Sequence, residues 1–373
     1  MPLEKRTETI EAHYPRQTPW GTMRPEDRLK IVYNVYTPPD NKQTGEYPIN
    51  LVFVHGTGMC KELWEDMIER FFQEFDGPIG KVISVDAATH GESALLNEGS
   101  LGWAQPWTDG ARDIVKLVRE TIPYGSGPTI LVGHSMGGAQ CVHAAFFAPA
   151  EIDAIAVVDP VSYTPDELMT EQGAREFIAK RMGKVRKGIR ETFTDYDDYE
   201  SFMKTRYLSQ GFAPRILDDF IKHGAEKQPD GTYRFKTTPE QQMIGYYSAL
   251  YTILHDFTIS LLRQLSCPVL HLAGTNSTFN YPGAIDVFRD NMPKGCEYVD
   301  IEDGTHLVPF EKPEETFKGI LPFISKSYEQ AVEKLKETDK RRNLSKQDAD
   351  KLFKQMYEET AKSYPIHKRY SKL

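Results

Sequence analysis

No stretch of this sequence approaches the ~18 consecutive apolar residues that a membrane-spanning helix needs, so no helical span is expected. The first residues, Met1-Pro2-Leu3-Glu4-Lys5-Arg6, have no apolar core of the kind that secretory signals carry, and no export is expected either. Cysteine is scarce: four in 373 residues (Cys60, Cys141, Cys267 and Cys296), with no C-x-x-C pair and no metal-ligand spacing. So few in so long a chain make no disulfide framework, and reduced, mostly buried thiols are expected. Basic residues are outnumbered, 45 Lys and Arg against 54 Asp and Glu, for a net charge of −9. A nucleic-acid binder would carry a basic stripe, which argues against that class. Neither an internal repeat nor a low-complexity block is present.

Hydrophobic residues make up 39% of the chain, ample for a buried sheet, and 373 residues suit an α/β domain with a large insertion. Residues 29–36 alternate apolar and polar before Pro38-Pro39, which predicts a strand and its stop. Residues 49–54 form a continuous apolar run, the pattern of a strand buried on both faces of a parallel sheet. A helix is predicted over 61–75, a strand over 81–85 and a helix over 107–122. Short buried strands over 129–132 and 155–158 flank a helix over 136–147. The alternation then breaks: 161–265 is charged and helical in pattern, interrupted by the turn signal Gln228-Pro229-Asp230-Gly231-Thr232. Strands resume at 268–272 and 298–301 with a helix between them, and a last helix begins near Pro313. Strands alternating with helices predict a mostly parallel sheet covered on both faces. The expected organisation is a core over 1–160 and 266–330, a helical cap over 161–265 above the carboxyl edge of the sheet, and a helical extension over 331–373. In that extension Leu352, Phe353, Met356 and Tyr357 offer one narrow apolar stripe, read as one or two helices docked on the body.

Gly133-His134-Ser135-Met136-Gly137 is a G-x-S-x-G between a predicted strand and a predicted helix, the setting of a nucleophile elbow. Small residues two positions to either side leave room for the sharp turn, and the helix start brings its dipole and a backbone N–H to the serine. His55-Gly56-Thr57-Gly58 ends the 49–54 strand, where a tight turn aims an N–H at a developing oxyanion. The expected donors are the N–H groups of Thr57 and Met136. A general base is expected after the last strand, since in this chain order serine precedes acid and acid precedes histidine. His306, in Gly304-Thr305-His306, fits; His55, His90 and His134 belong to motif turns and are read as holding loop geometry.

The acid is less direct. The stretch after the penultimate strand reads Gly274-Thr275-Asn276-Ser277, with serine where a Gly-x-x-Asp pattern has its carboxylate. A hydroxyl does not stabilise an imidazolium as an anion does. Asp159, ending the 155–158 strand ahead of Pro160, is the expected acid, with Asp286 in reserve. Asp86 and His90, in Asp86-Ala-Ala-Thr-His90-Gly-Glu-Ser93, are read as structural. Tyr246, Tyr247, Tyr251 and Phe257 are read as a packing stripe that partly faces an apolar substrate. Chemistry of this kind needs no metal or organic cofactor.

Through H-G-T-G, D-A-A-T-H-G-E-S, G-H-S-M-G-G and G-T-H in order, residues 25–325 resemble the α/β-hydrolase superfamily. Asn50–Met59 (N-L-V-F-V-H-G-T-G-M), Trp107–Asp113 (W-T-D-G-A-R-D) and Gly133–Gly138 narrow the resemblance to the fungal peroxisomal lipase group. The chain also resembles the α/β-hydrolases of fungal host-selective toxin biosynthesis. Ser371-Lys372-Leu373 agrees, because a terminal S-K-L is an address read by the soluble peroxisomal import receptor and predicts the peroxisomal matrix. The resemblance implies lipase or esterase action on acyl esters, with Ser135 as nucleophile and His306 as base. Acyl transfer in secondary metabolism, acyl-CoA thioester cleavage and non-catalytic binding stand beside it as alternatives.

Overall fold

The computed structural model describes residues 4–43, 45–161, 170, 172–173, 176, 182–252, 260–280, 283–293 and 295–363, with only the backbone at 249–252 and 363. The chain forms two compact units, Met1–Tyr328 and Glu329–Leu373. The first holds an eight-stranded sheet: β1 (Lys5–Glu11), β2 (Lys30–Tyr36), β3 (Ile49–Val54), β4 (Ile79–Val85), β5 (Thr129–His134), β6 (Ala154–Val158), β10 (Val269–Gly274) and β11 (Glu297–Ile301). Their spatial order is β1-β2-β4-β3-β5-β6-β10-β11. β1 runs antiparallel to β2 and β2 to β4, while every other pairing is parallel.

The period of two along each strand divides the core. Leu51, Phe53, Ile130, Val132, Ala156 and Val158 face one layer together with Met67, Ile68 and Phe71 of helix α1 (Glu65–Glu74). Val52, Val54, Leu131, Ile155 and Val157 face the other, against Ile114, Leu117, Cys141, Val142 and Ala145. Those five belong to helices α3 (Trp107–Thr121) and α4 (Met136–Phe147); α2 is the short Gly91–Leu96. Cys60 and Cys141 are buried, Cys267 and Cys296 partly so.

Two expectations need correction. The helix predicted from Lys61 begins as a 3-10 turn, Lys61–Trp64, because Asp86 Oδ1 accepts the Lys61 N–H (2.9 Å) and holds the chain tight there. The 161–265 insertion is not helical throughout. Beside helices Gly183–Gly188, Tyr196–Thr205, Pro214–Gly224 and Pro239–Thr252 it holds a three-stranded antiparallel sheet: β7 (Thr192–Phe193), β8 (Ala225–Lys227) and β9 (Tyr233–Phe235). The turn at 228–232 joins β8 to β9, with Gly231 at φ 91° and Asp230 Oδ1 accepting from Thr232 N (3.0 Å).

The insertion is bonded to the carboxyl-edge loops of the sheet. Tyr207 Oη donates to the Gly58 carbonyl (3.2 Å), Trp107 Nε1 to the Gly245 carbonyl (3.0 Å) and Gly91 N to Thr237 Oγ1 (2.8 Å). In the second unit the helix Lys346–Ser363 leaves Phe353, Met356 and Tyr357 exposed. Among the described residues no helix is long and apolar enough to cross a membrane.

Candidate active site

β5 ends at His134, α4 starts at Met136, and the single residue between them carries the turn: Ser135 sits at φ 54°, ψ −117°. A β-carbon at Gly133 would lie 2.5 Å from the Gly137 carbonyl oxygen, and one at Gly137 would lie 2.3 Å from that of Val54, so both positions require glycine. Asp159 leaves β6 in the same manner, at φ 43°. His306 follows β11 on a loop whose Gly304 packs against Gly274.

The structure brings Ser135, His306 and Asp159 together. His306 Nε2 lies 2.9 Å from Ser135 Oγ, and His306 Nδ1 lies 2.9 Å from Asp159 Oδ1. A buried carboxylate only accepts, so Nδ1 carries the proton and the Nε2 lone pair faces the serine hydroxyl. Ser135 is 6% exposed, His306 8% and Asp159 0%. Burial alone would raise the Asp159 carboxyl, but the His306 hydrogen bond and charge, with a hydrogen bond from Ser277, outweigh it and hold Asp159 below the ordinary value. The carboxylate is therefore anionic when His306 needs a counter-charge.

Sequence reasoning missed the residues that surround this pair. Ser277 Oγ (3.0 Å) and Asn280 Nδ2 (2.6 Å) both donate to Asp159 Oδ1, and Phe279 stacks on the His306 ring, centroids 4.2 Å apart at 14°. Ser277 was visible only as a missing acid; its partner was not, because the contact spans 118 positions. His134 Nε2 donates to the His306 carbonyl (2.7 Å). Burial, then the neighbouring His306, pushes the His134 imidazole down to about 3, so it is a neutral strut.

The H-G-T-G turn is built on histidines as well. Ala87 N donates to His55 Nε2 (3.1 Å), and Gly58 N donates to His90 Nε2 (2.9 Å). The second bond commits the Gly58 amide and excludes it from the role expected of Thr57. Thr57 Oγ1 lies 3.4 Å from Met136 Sδ, so the two expected donor residues are neighbours beside Ser135. Beneath the turn Lys61, fully buried, bonds Asp86 (3.1 Å), Glu62 (2.8 Å) and Glu92 (2.6 Å). Burial opposes the lysine charge, and the three carboxylates overcome it and hold Lys61 protonated. Asp86 thus ties two loops together, the structural part expected of it.

Thr57, Ser135 and His306 open on a cavity of about 300 Å³ whose other walls include Met59, Leu208, Tyr246, Phe279 and Leu307. With Thr278 and Thr305 the wall is mixed, its apolar side chains surrounding a polar centre, as in small-molecule sites. Tyr247 packs against the core, whereas Phe257 and the side chain of Tyr251 lie outside the described residues. Asp286 lines a separate depression of about 490 Å³ with Ser277, Thr278, Arg289 and Asp300, and the carboxylate on His306 Nδ1 is that of Asp159. Ser371, Lys372 and Leu373 lie outside the described residues.

Strand order, elbow and loop positions together define an α/β-hydrolase fold, and the chain belongs to the alpha/beta hydrolase family, whose model matches residues 51–318. The resemblance to a fungal peroxisomal group is matched by its relatives. The peroxisomal membrane protein LPX1 of Saccharomyces cerevisiae is 27% identical over 330 residues, 84% of either chain. The type I acyl-CoA thioesterase mpaH' of Penicillium brevicompactum is 26% identical over 329 residues, covering 84% of this chain and 70% of its own. Among solved structures, the peroxisomal α/β-hydrolase Lpx1 of S. cerevisiae superposes with a TM-score of 0.77 at 24% identity, over 97% of this chain and 99% of that one. That likeness shows the fold.

Proposed function

We propose that this hydrolase is a serine ester hydrolase acting through Ser135, His306 and Asp159. The unbroken relay from Ser135 Oγ through His306 to Asp159, opening on this cavity, carries the reading. Ser135 Oγ attacks the acyl carbonyl as His306 Nε2 takes its proton, and the N–H groups of Thr57 and Met136 receive the oxyanion. The imidazolium, stabilised by Asp159, protonates the departing alkoxide and leaves an acyl-serine. Water then gives a proton to His306 and attacks the acyl carbon; the proton returns to Ser135 as the acid departs.

A second reading is favoured by the similarity to an acyl-CoA thioesterase over 84% of the chain: the same groups cleave a thioester. Turnover of p-nitrophenyl esters of graded acyl length, with acyl-CoA thioesters alongside, separates the two. Ester turnover exceeding thioester turnover supports the first reading, and the reverse order selects the second. Ser371-Lys372-Leu373 and the peroxisomal relatives support placement in the peroxisome. An amino-terminal fluorescent fusion is expected to be punctate in cells and to turn diffuse without those three residues; punctate signal in both would contradict it.

A further inference from the structure

The loop after β10 encloses one side of the Asp159–His306 pair, and the reaction above leaves it without a part. Val158 of β6 and Leu272 of β10 are in register on adjacent parallel strands, so the chain leaves both strands at one height. From β6 it delivers Asp159, whose N–H bonds the Leu272 carbonyl (2.7 Å). From β10 it enters a turn closed by Ser277 N to Gly274 O (3.0 Å). Thr275 N and Asn276 N bond the Ile301 (3.0 Å) and Gly304 (2.8 Å) carbonyls and pin that turn to the His306 loop. So held, it aims Ser277 Oγ and Asn280 Nδ2 at the same Asp159 oxygen that faces His306 Nδ1.

We propose that Ser277 and Asn280 are positioning residues that fix the Asp159 carboxylate for His306. Two added donors stop the carboxylate from turning away and spread its charge, which a fully buried anion requires. The proposal rests on the catalytic reading of Ser135, His306 and Asp159, and its test keeps the two apart.

The test is steady-state ester hydrolysis by the full chain, with melting temperatures, for Ser277→Ala, Ser277→Thr and Asp159→Gly. Glycine suits position 159 because its φ is 43°; Asp159→Asn replaces that variant if it fails to fold. Ser277→Ala is expected to lower kcat about tenfold, the worth of one hydrogen bond to a charged group. KM should stay unchanged and Ser277→Thr should restore the rate, since Ser277 lines the outer depression and not the Ser135 cavity. Asp159→Gly should cost about 10⁴-fold. An unchanged kcat in Ser277→Ala, or a change confined to KM, overturns the positioning role. Either result beside an Asp159→Gly variant slowed as expected leaves the catalytic reading standing. Full activity in Asp159→Gly overturns that reading itself.

Discussion

Ser135 and Asp159 are two of the non-glycine residues with positive φ, at 54° and 43°, and they end adjacent strands. Backbone of this kind costs about 1–3 kcal/mol and persists where neighbours over-determine it. Here Ser135 N bonds the Val158 carbonyl (3.1 Å) and Asp159 N the Leu272 carbonyl, so each strained residue is held by the next strand. Gly137 makes the first of these turns possible. Gly137→Ala is expected to cost about 1–3 kcal/mol by overpacking against Val54 and to reduce ester turnover more than proportionally, by displacing Ser135. A variant with wild-type melting and turnover would contradict that. At this scale Ser135 and His306 were legible because each sits in a local motif beside a strand end. Asp159 was legible only from strand order, Ser277 only as a missing acid and Asn280 not at all, because their partner is brought to them by the pairing of β6 with β10.

Among the elements, legibility followed the strength of the local pattern. β3 and α4 were read to the residue, one a continuous apolar run and the other opened by the glycine elbow. β1 was missed: its sequence, KRTETIE, has one apolar residue and sits half-exposed at the antiparallel edge of the sheet, with no face to bury. The strands β7, β8 and β9 run two or three residues, too short to show a period, and are stabilised by packing: Phe193 and Phe235 lie edge to face at 5.3 Å within the insertion. The early part of the predicted helix at 61–75 failed for an electrostatic reason, since Lys61 is claimed by Asp86, Glu62 and Glu92.

Over the whole molecule, the five described histidines that are at most 1% exposed are hard to protonate. His143 and His271 are pushed down to about 4 and His134 to about 3, and His55 and His90 are lowered too, desolvation being the largest cause each time. The unfolded chain takes these protons near its ordinary value of 6.5, while the folded chain refuses them until well below it. Stability is therefore lost as pH falls below 6.5, by about 1.4 kcal/mol per pH unit for each such histidine. Below 4.5 Glu62, held down to about 2 by Lys61 against its burial, adds loss of the same sign, whereas the raised carboxyl of Asp86 opposes it. Thermal unfolding is expected to show midpoints falling steadily from pH 7 to 4.5; flat midpoints would contradict the burial of these rings as neutral groups.

The proposed reaction depends most on the Ser135 hydroxyl being the nucleophile that His306 activates. Intact-mass and peptide mass spectrometry after treatment with a fluorophosphonate tests this without knowledge of the natural substrate. The expected result is one phosphonyl adduct, on the peptide that carries Ser135, absent from Ser135→Ala and strongly slowed in His306→Ala. An adduct on another residue, or undiminished labelling of Ser135→Ala, would contradict it.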